Sequence, residues 1–184
     1  MASTVDRETR APSEVMEAQA PLRERYAARP KDAVSPKWAR TSGVGKAPWR
    51  GTVEIGDDQR VSFDFGADDK VGGPDDLPNP PDLMCASIAA CEHLTVQMVA
   101  DLMRVELESL EVEVSGEVDV RGTLMISDEP PVGFRSLRCQ VRLRCAPGTD
   151  ERRRRLLGEY AERSCVTLAT VREGCEVDCS VDAT

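Results

Sequence analysis

The chain carries seven cysteines and a single histidine, so thiols supply most of its nucleophilic and metal-ligating capacity. Five of the seven read as packing residues. Cys139, Cys145, Cys175 and Cys179 fall at inward positions of alternating segments, and Cys85 lies on an apolar helix, where a thiol serves as a small hydrophobe. A metal site is not expected: Cys175 and Cys179 are four apart, which on a strand is about 13 Å. His93 is two residues from Cys91, so a helix turns it to another face, and it reads as a pocket-edge or interface residue. Cys91 and Cys165 stand apart. Cys91 follows Ala89 and Ala90, small neighbours that leave its sulfur approachable, and Cys165 lies just past a helix end. An odd set of thiols in a reducing compartment implies mostly free cysteines, one or two of them reactive. The chemistry on offer is that of a thiolate nucleophile.

The element that must present Cys91 is the stretch from Asn79 to Arg104. Asn79 is a helix cap, Pro80 suits the first turn, and Asp82 sits three residues after the cap. Apolar residues from Leu83 to Met103 occupy nearly every face, which predicts a helix buried all round. Glu92, His93, Gln97 and Asp101 interrupt the run, so it is not read as a membrane span. Cys165 follows a second helix, Thr149 to Ser164, capped by Thr149 or Asp150, with Leu156, Leu157, Tyr160 and Ala161 as its stripe. The run Arg152 to Arg155 reads as a solvated or ion-paired face. Val166 to Val171 reads as a short apolar turn.

Around these helices the sequence alternates with period two. Trp38 to Phe65 reads as strands, with Gly56-Asp57-Asp58 turning a hairpin between Val53/Ile55 and Val61/Phe63/Phe65. Gly66 to Pro81 is a Gly/Pro-punctuated loop that delivers the chain into the central helix. Leu110 to Val120 is a half-buried antiparallel strand with acidic residues outside. Thr123 to Pro131 is a turn region. Phe134 to Cys145 is a strand with Arg138, Gln140, Arg142 and Arg144 outside, so the acidic and basic outer faces could pair across a sheet. A last strand is expected over Cys175 to Asp182. Residues 1–36 form an N-terminal extension, either a loose tail or an arm on a partner subunit. Its segment Ser13 to Arg29 is expected as a helix capped by Ser13 and broken by Pro21. Residues 37–184 form the domain proper.

The net charge is −9, and the first 40 residues carry 8 basic against 6 acidic side chains, so the acidity belongs to the body. That balance argues against nonspecific nucleic-acid binding and against anionic membrane surfaces. With no signal-type leader and no apolar stretch judged long enough to span a bilayer, a cytoplasmic protein is expected.

At this point the ordered set of segments resembles the OsmC/Ohr family of osmotically inducible and organic-hydroperoxide-resistance proteins. The resemblance is carried by Gly72-Gly73-Pro74 and Asn79-Pro80 before the helix, and by Ala89-Ala90-Cys91 within it. Leu110 to Arg121, Gly133-Phe134, Ala161 to Cys165, and Thr170-Val171 follow in family order. It implies an α+β, intertwined homodimer, its antiparallel sheet wrapped around the long central helices. It implies a peroxidase of oxidative and osmotic stress defence, with its site at the subunit interface. Cys91 would attack a hydroperoxide, Cys165 would condense with the resulting sulfenic acid, and a dithiol, lipoyl-bearing or glutathione-like, would restore the pair. No cofactor is implied.

A free thiol is only a few per cent ionised at neutral pH, so a peroxidatic cysteine needs a nearby cation. The resemblance assigns that part to an arginine of the first hairpin, held by a carboxylate at the start of the helix. Arg50 matches best, with Arg40 as the other choice, and Asp82 is the available carboxylate. Three positions differ from the family pattern. Pro81 stands where glutamate usually follows Asn-Pro, Val166 where proline usually follows the second cysteine, and Glu92 where the residue after the first cysteine is apolar or small. An anion at Glu92 would oppose ionisation of Cys91 if it faced the sulfur. Two further readings are a non-catalytic binding or thiol-sensing protein with an interface pocket, and an interaction module with unreactive cysteines.

Overall fold

The computed structural model describes residues 13–41, 47–56 and 61–183. Residues 1–12 of the extension and the Asp57-Asp58 turn lie outside the described residues. The chain divides into two compact units, one comprising residues up to Cys85 with Ser115–Arg138, the other Ala86–Val114 with Cys139–Thr184.

In the first unit, helix α1 spans Glu14–Ala28, and the Ser13 hydroxyl caps it by accepting from the Met16 N–H at 2.9 Å. The expected break at Pro21 does not occur: α1 runs through it. Proline removes one backbone donor at a cost of about 3 kcal/mol, and the cap with the Glu, Ala, Gln, Leu and Arg around it keeps the flanking turns helical. Strands β1 (Ala39–Thr41), β2 (Arg50–Ile55) and β3 (Val61–Gly66) form an antiparallel sheet in that order. The register pairs Arg40 with Glu54, and Val53 with Phe63, as the alternation predicts. Gly51 leaves room for the Phe65 ring, whose tip a Cβ there would meet at 2.6 Å.

The loop after β3 is bound back to the hairpin. The Gly66 N–H donates to the Pro78 carbonyl and the Ala67 N–H to the Trp49 carbonyl, both at 3.0 Å. Gly73 packs so closely that a Cβ would fall 2.2 Å from the Ala67 carbonyl oxygen. This loop leads into α2, Pro80–Leu102.

Two long strands, β4 (Leu107–Val118) and β5 (Phe134–Cys145), pair with each other. The outer faces complement each other as expected: Arg142 bridges Glu113 at 2.8 Å and Glu111 at 3.3 Å, and Arg144 reaches Glu108 at 3.8 Å. β4 ends two residues before the predicted Val120. Asp119 instead caps a single turn, α3 (Val120–Thr123), inside the segment read as strand end and turn.

Helix α4 (Glu151–Ser164) is capped by Asp150, which accepts from the Arg153 N–H at 2.8 Å. Its arginines are engaged as a solvated face: Arg153 donates to the Met103 carbonyl and Arg155 bridges Glu159. Leu157 is fully buried against Ala100 and Val105, with Leu107, Leu143 and Cys145 packed around them. Of the predicted stripe, Tyr160 is exposed.

Two expectations fail after Cys165. Val166–Glu173 is a helix, α5, not a turn. Residues 175–182 form no strand, and Cys175 and Cys179 are exposed. Alternation alone does not make a strand; a hydrogen-bonded neighbour must accept it, and none of the described strands does. The inward, packing role read for these two thiols therefore falls with the strand.

Candidate active site

The first turn of α2 is fixed by a reciprocal capping box. The Asn79 side chain accepts from the Asp82 N–H at 2.9 Å, and the Asp82 carboxylate accepts from the Asn79 N–H at 3.3 Å. From that start, 23 helical residues carry Cys91 to mid-helix. The helix is long and apolar enough, by length and composition alone, to cross a membrane, contrary to the reading that no stretch was. Glu92 and Asp101 within it, and the buried stripe below, mark it as a core helix.

Burial on α2 is one-sided rather than all round. Ile88, Glu92, Thr95, Val96 and Ala100 form a single buried stripe, whereas Leu94 is 59% and Met98 39% exposed. The interruption at Glu92 thus proves to be a buried carboxyl, 3% exposed, with its Oε2 lacking a hydrogen-bond partner. Sequence spacing could have found this, because Glu92 lies at i+4 from Ile88 and i−4 from Val96.

Cys165 links two helices, as the residue after α4 and the N-cap of α5, in an extended conformation (φ −79°, ψ 110°). It is 1% exposed, and its sulfur lies 3.4 Å from the Thr167 hydroxyl. This junction aims the unsatisfied first N–H groups of α5 at Cys91. Burial pushes the Cys91 thiol up. The Thr167 N–H and hydroxyl, the Cys165 thiol and the Val166 N–H outweigh it, and Cys91 ends below the ordinary thiol value. The two predicted cysteines therefore face each other, each shifting the other's ionisation.

Cys165 behaves oppositely. Burial pushes it up to about 11, with the Glu92 carboxyl and Cys91 adding to the rise against the Thr167 hydroxyl and the Leu168 N–H. Burial and the Glu92 charge also raise Cys139, while burial and Asp82 raise Cys85. The anion feared beside Cys91 bears on its neighbours Cys165 and Cys139.

The hairpin residues read alongside the cysteines lie in the first unit. Arg50 is ion-paired with Asp76, and Arg40 with Glu54 at 2.9 Å. Asp82 is engaged in the capping box, so the carboxylate on Arg50 is Asp76, in the loop before the helix, and not Asp82. Asp76 was missed because the pairing is set by how the loop folds back, the partners being 26 positions apart in sequence. Thr167 was missed as well; its only signal was its place two residues after Cys165.

In the second unit Glu92 lines a cleft of about 320 Å³ with Val96, Cys139, Leu168 and the ion-paired Glu162 and Arg172. Cys165 faces another, shallower one with Val166 and Thr170. Among the described residues no cluster of three or more His, Cys, Asp or Glu side chains could hold a metal ion.

The comparisons with known proteins agree with this architecture. Residues 73–180 match the family model described as OsmC-like protein. The fold is similar to that of an organic hydroperoxide resistance protein OsmC from Legionella pneumophila, with TM-score 0.57, 20% identity, and coverage of 77% of this chain and 93% of that one. An organic hydroperoxide resistance protein from Elizabethkingia anophelis gives TM-score 0.54 at 21% identity over 75% of this chain and 89% of that one. An OsmC like protein from Mycoplasma pneumoniae gives 0.58 at 14% over 75% and 88%. No curated protein matches the chain by sequence. An α+β fold of this architecture, with a family match across more than half its length, means that the chain belongs to the OsmC family.

Proposed function

We propose that the protein is a cytoplasmic thiol-dependent peroxidase that reduces organic hydroperoxides through Cys91 and Cys165. The observation carrying this reading is the junction of α4 and α5. One thiol is held below its ordinary pKa by helix N–H groups, and a second, protonated thiol is within its reach. The Cys91 thiolate attacks the outer peroxide oxygen. The O–O bond breaks, the alcohol leaves with a proton, and Cys91 becomes a sulfenic acid. Cys165 then displaces hydroxide from that sulfur, forming the disulfide and water. A dithiol reductant, lipoyl-bearing or small, returns both thiols by exchange.

Arg50, its guanidinium fixed by Asp76, is the activating arginine of this proposal. A homodimer is part of the proposal, since it would cover the exposed Leu94 and Met98 of α2. The sedimentation mass tests it.

The test of function is dithiol-dependent consumption of cumene hydroperoxide against hydrogen peroxide. Turnover should favour the organic peroxide, vanish in Cys91→Ser, and stop after one equivalent in Cys165→Ser. A folded protein that consumes neither peroxide refutes the reading. The alternative, a non-catalytic binding or thiol-sensing protein, draws on the cleft beside Glu92, and a co-purifying apolar ligand without turnover would support it.

A further inference from the structure

A buried carboxyl with an unpartnered oxygen is costly, on the order of several kcal/mol if ionised and uncompensated. Glu92 is such a group, at 3% exposure with a free Oε2. It follows the nucleophile in sequence and lines a cleft with Ala161 and Glu162 of α4 and Leu168 and Arg172 of α5, the two helices that Cys165 joins, where its carboxyl faces and raises the Cys165 thiol. Cys165 is 1% exposed, so water is poorly placed to take its proton. In the reduced protein that proton has two neighbouring groups that could take it, the Cys91 sulfur and the Glu92 carboxyl. Once Cys91 is oxidised its sulfur can no longer accept that proton, and the Glu92 carboxyl is left as the acceptor.

We propose that Glu92 is the proton acceptor for Cys165 when that thiol attacks an oxidised Cys91 sulfur. The Cys165 S–H bond breaks toward the Glu92 carboxylate as the S–S bond forms. Hydroxide departs from the Cys91 sulfenic acid and takes the proton from Glu92 as water, leaving the carboxylate as it began. The oxidant is the hydroperoxide of the peroxidase reading, on which this form of the step rests. The same proton transfer serves a Cys91 mixed disulfide, where an aryl thiolate is the leaving group. Besides Cys91 on α2, the titratable and charged groups around Glu92 are Cys139 on β5, Glu162 on α4 and Arg172 on α5.

The experiment compares wild type, Glu92→Gln and Glu92→Asp in two arms. In the first, one equivalent of cumene hydroperoxide is added. Peptide mass spectrometry then follows dimedone-trapped Cys91 against the Cys91–Cys165 disulfide. In the second, an aryl disulfide (dithiodipyridine) loads Cys91, and release of the second aryl thiol reports attack by Cys165. Glu92→Gln should slow disulfide closure about 100-fold at neutral pH in both arms, within the range for a lost general base. Glu92→Asp should recover part of it. The deficit should shrink toward pH 10 as Cys165 ionises unaided, while oxidation of Cys91 is not slowed. Equal closure rates for Gln and wild type at all pH values would overturn the assignment. A wild type inert to peroxide whose aryl-loaded form still closes in a Glu92-dependent way would refute the peroxidase reading and uphold the role of Glu92.

Discussion

Val166→Pro isolates one contribution to the reactivity of Cys91 without disturbing the fold. Val166 is the first residue of α5, and its N–H has no intrahelical partner; it points at the Cys91 sulfur. Proline suits the first helical position, and it demands an extended residue before it, which Cys165 already is at ψ 110°. The Val166 side chain is 71% exposed, so little packing is lost. The substitution therefore deletes a donor and keeps the helix, and stability should be unchanged or raised by about 0.5 kcal/mol through the unfolded chain. A hydrogen bond to a charged group contributes about 1.5 kcal/mol at the low end. Sulfur is a weak acceptor and this is the least of the donors, so the loss should fall at or below that, a roughly three- to tenfold drop in thiolate population. The assay is the pH dependence of iodoacetamide alkylation at Cys91, followed by peptide mass spectrometry. The profile should move to higher pH while the melting temperature holds. An unmoved profile in a folded variant would show that the N–H groups of α5 do not set the ionisation of Cys91.

Two further outcomes follow from the same geometry. Cys165 is held as a thiol, its pKa raised from 9.0 to about 11, so its contribution to stability is full below the unfolded thiol pKa and is lost as pH rises toward 11. The loss is on the order of 2–3 kcal/mol, and urea unfolding at pH 8 and pH 10.5 should show much of this difference in wild type and little in Cys165→Ser. Leu157→Ala, at a position with no exposure, should lower the unfolding free energy by about 2–5 kcal/mol, read by the same denaturation.

What could be read from the sequence divides along physical lines. The Asn79–Asp82 box, the Asp150 cap and the alternating faces of β5 follow from contacts within a few residues or from a strict period, and they appear where expected. The two thiols stood out because each broke a local pattern. The rest depended on contacts distant in sequence. Asp76 finds Arg50 only because the loop folds back on the hairpin. Glu92 was taken as an interruption of an apolar helix, yet it lies on the buried stripe. Alternation at Cys175 to Asp182 implied a strand, but no described strand accepts it. Pro21 was given its average cost and not the support of its neighbours. The family resemblance supplied the pairing of Cys91 with Cys165 that neither local pattern nor period could.

The join of α4 to α5 has a consequence for the fate of an oxidised Cys91. Cys165 already faces the other sulfur closely enough to shift its ionisation in the reduced state. Their reaction is intramolecular between pre-positioned groups, with effective concentrations that can far exceed any peroxide level in a cell. In the proposed cycle a second hydroperoxide must compete with that partner to drive the sulfenic acid on to the irreversible sulfinic form. In the proposed peroxidase this architecture would favour endurance: a thiol pair that survives bursts of oxidant, its lifetime limited by how fast the reductant reaches the disulfide.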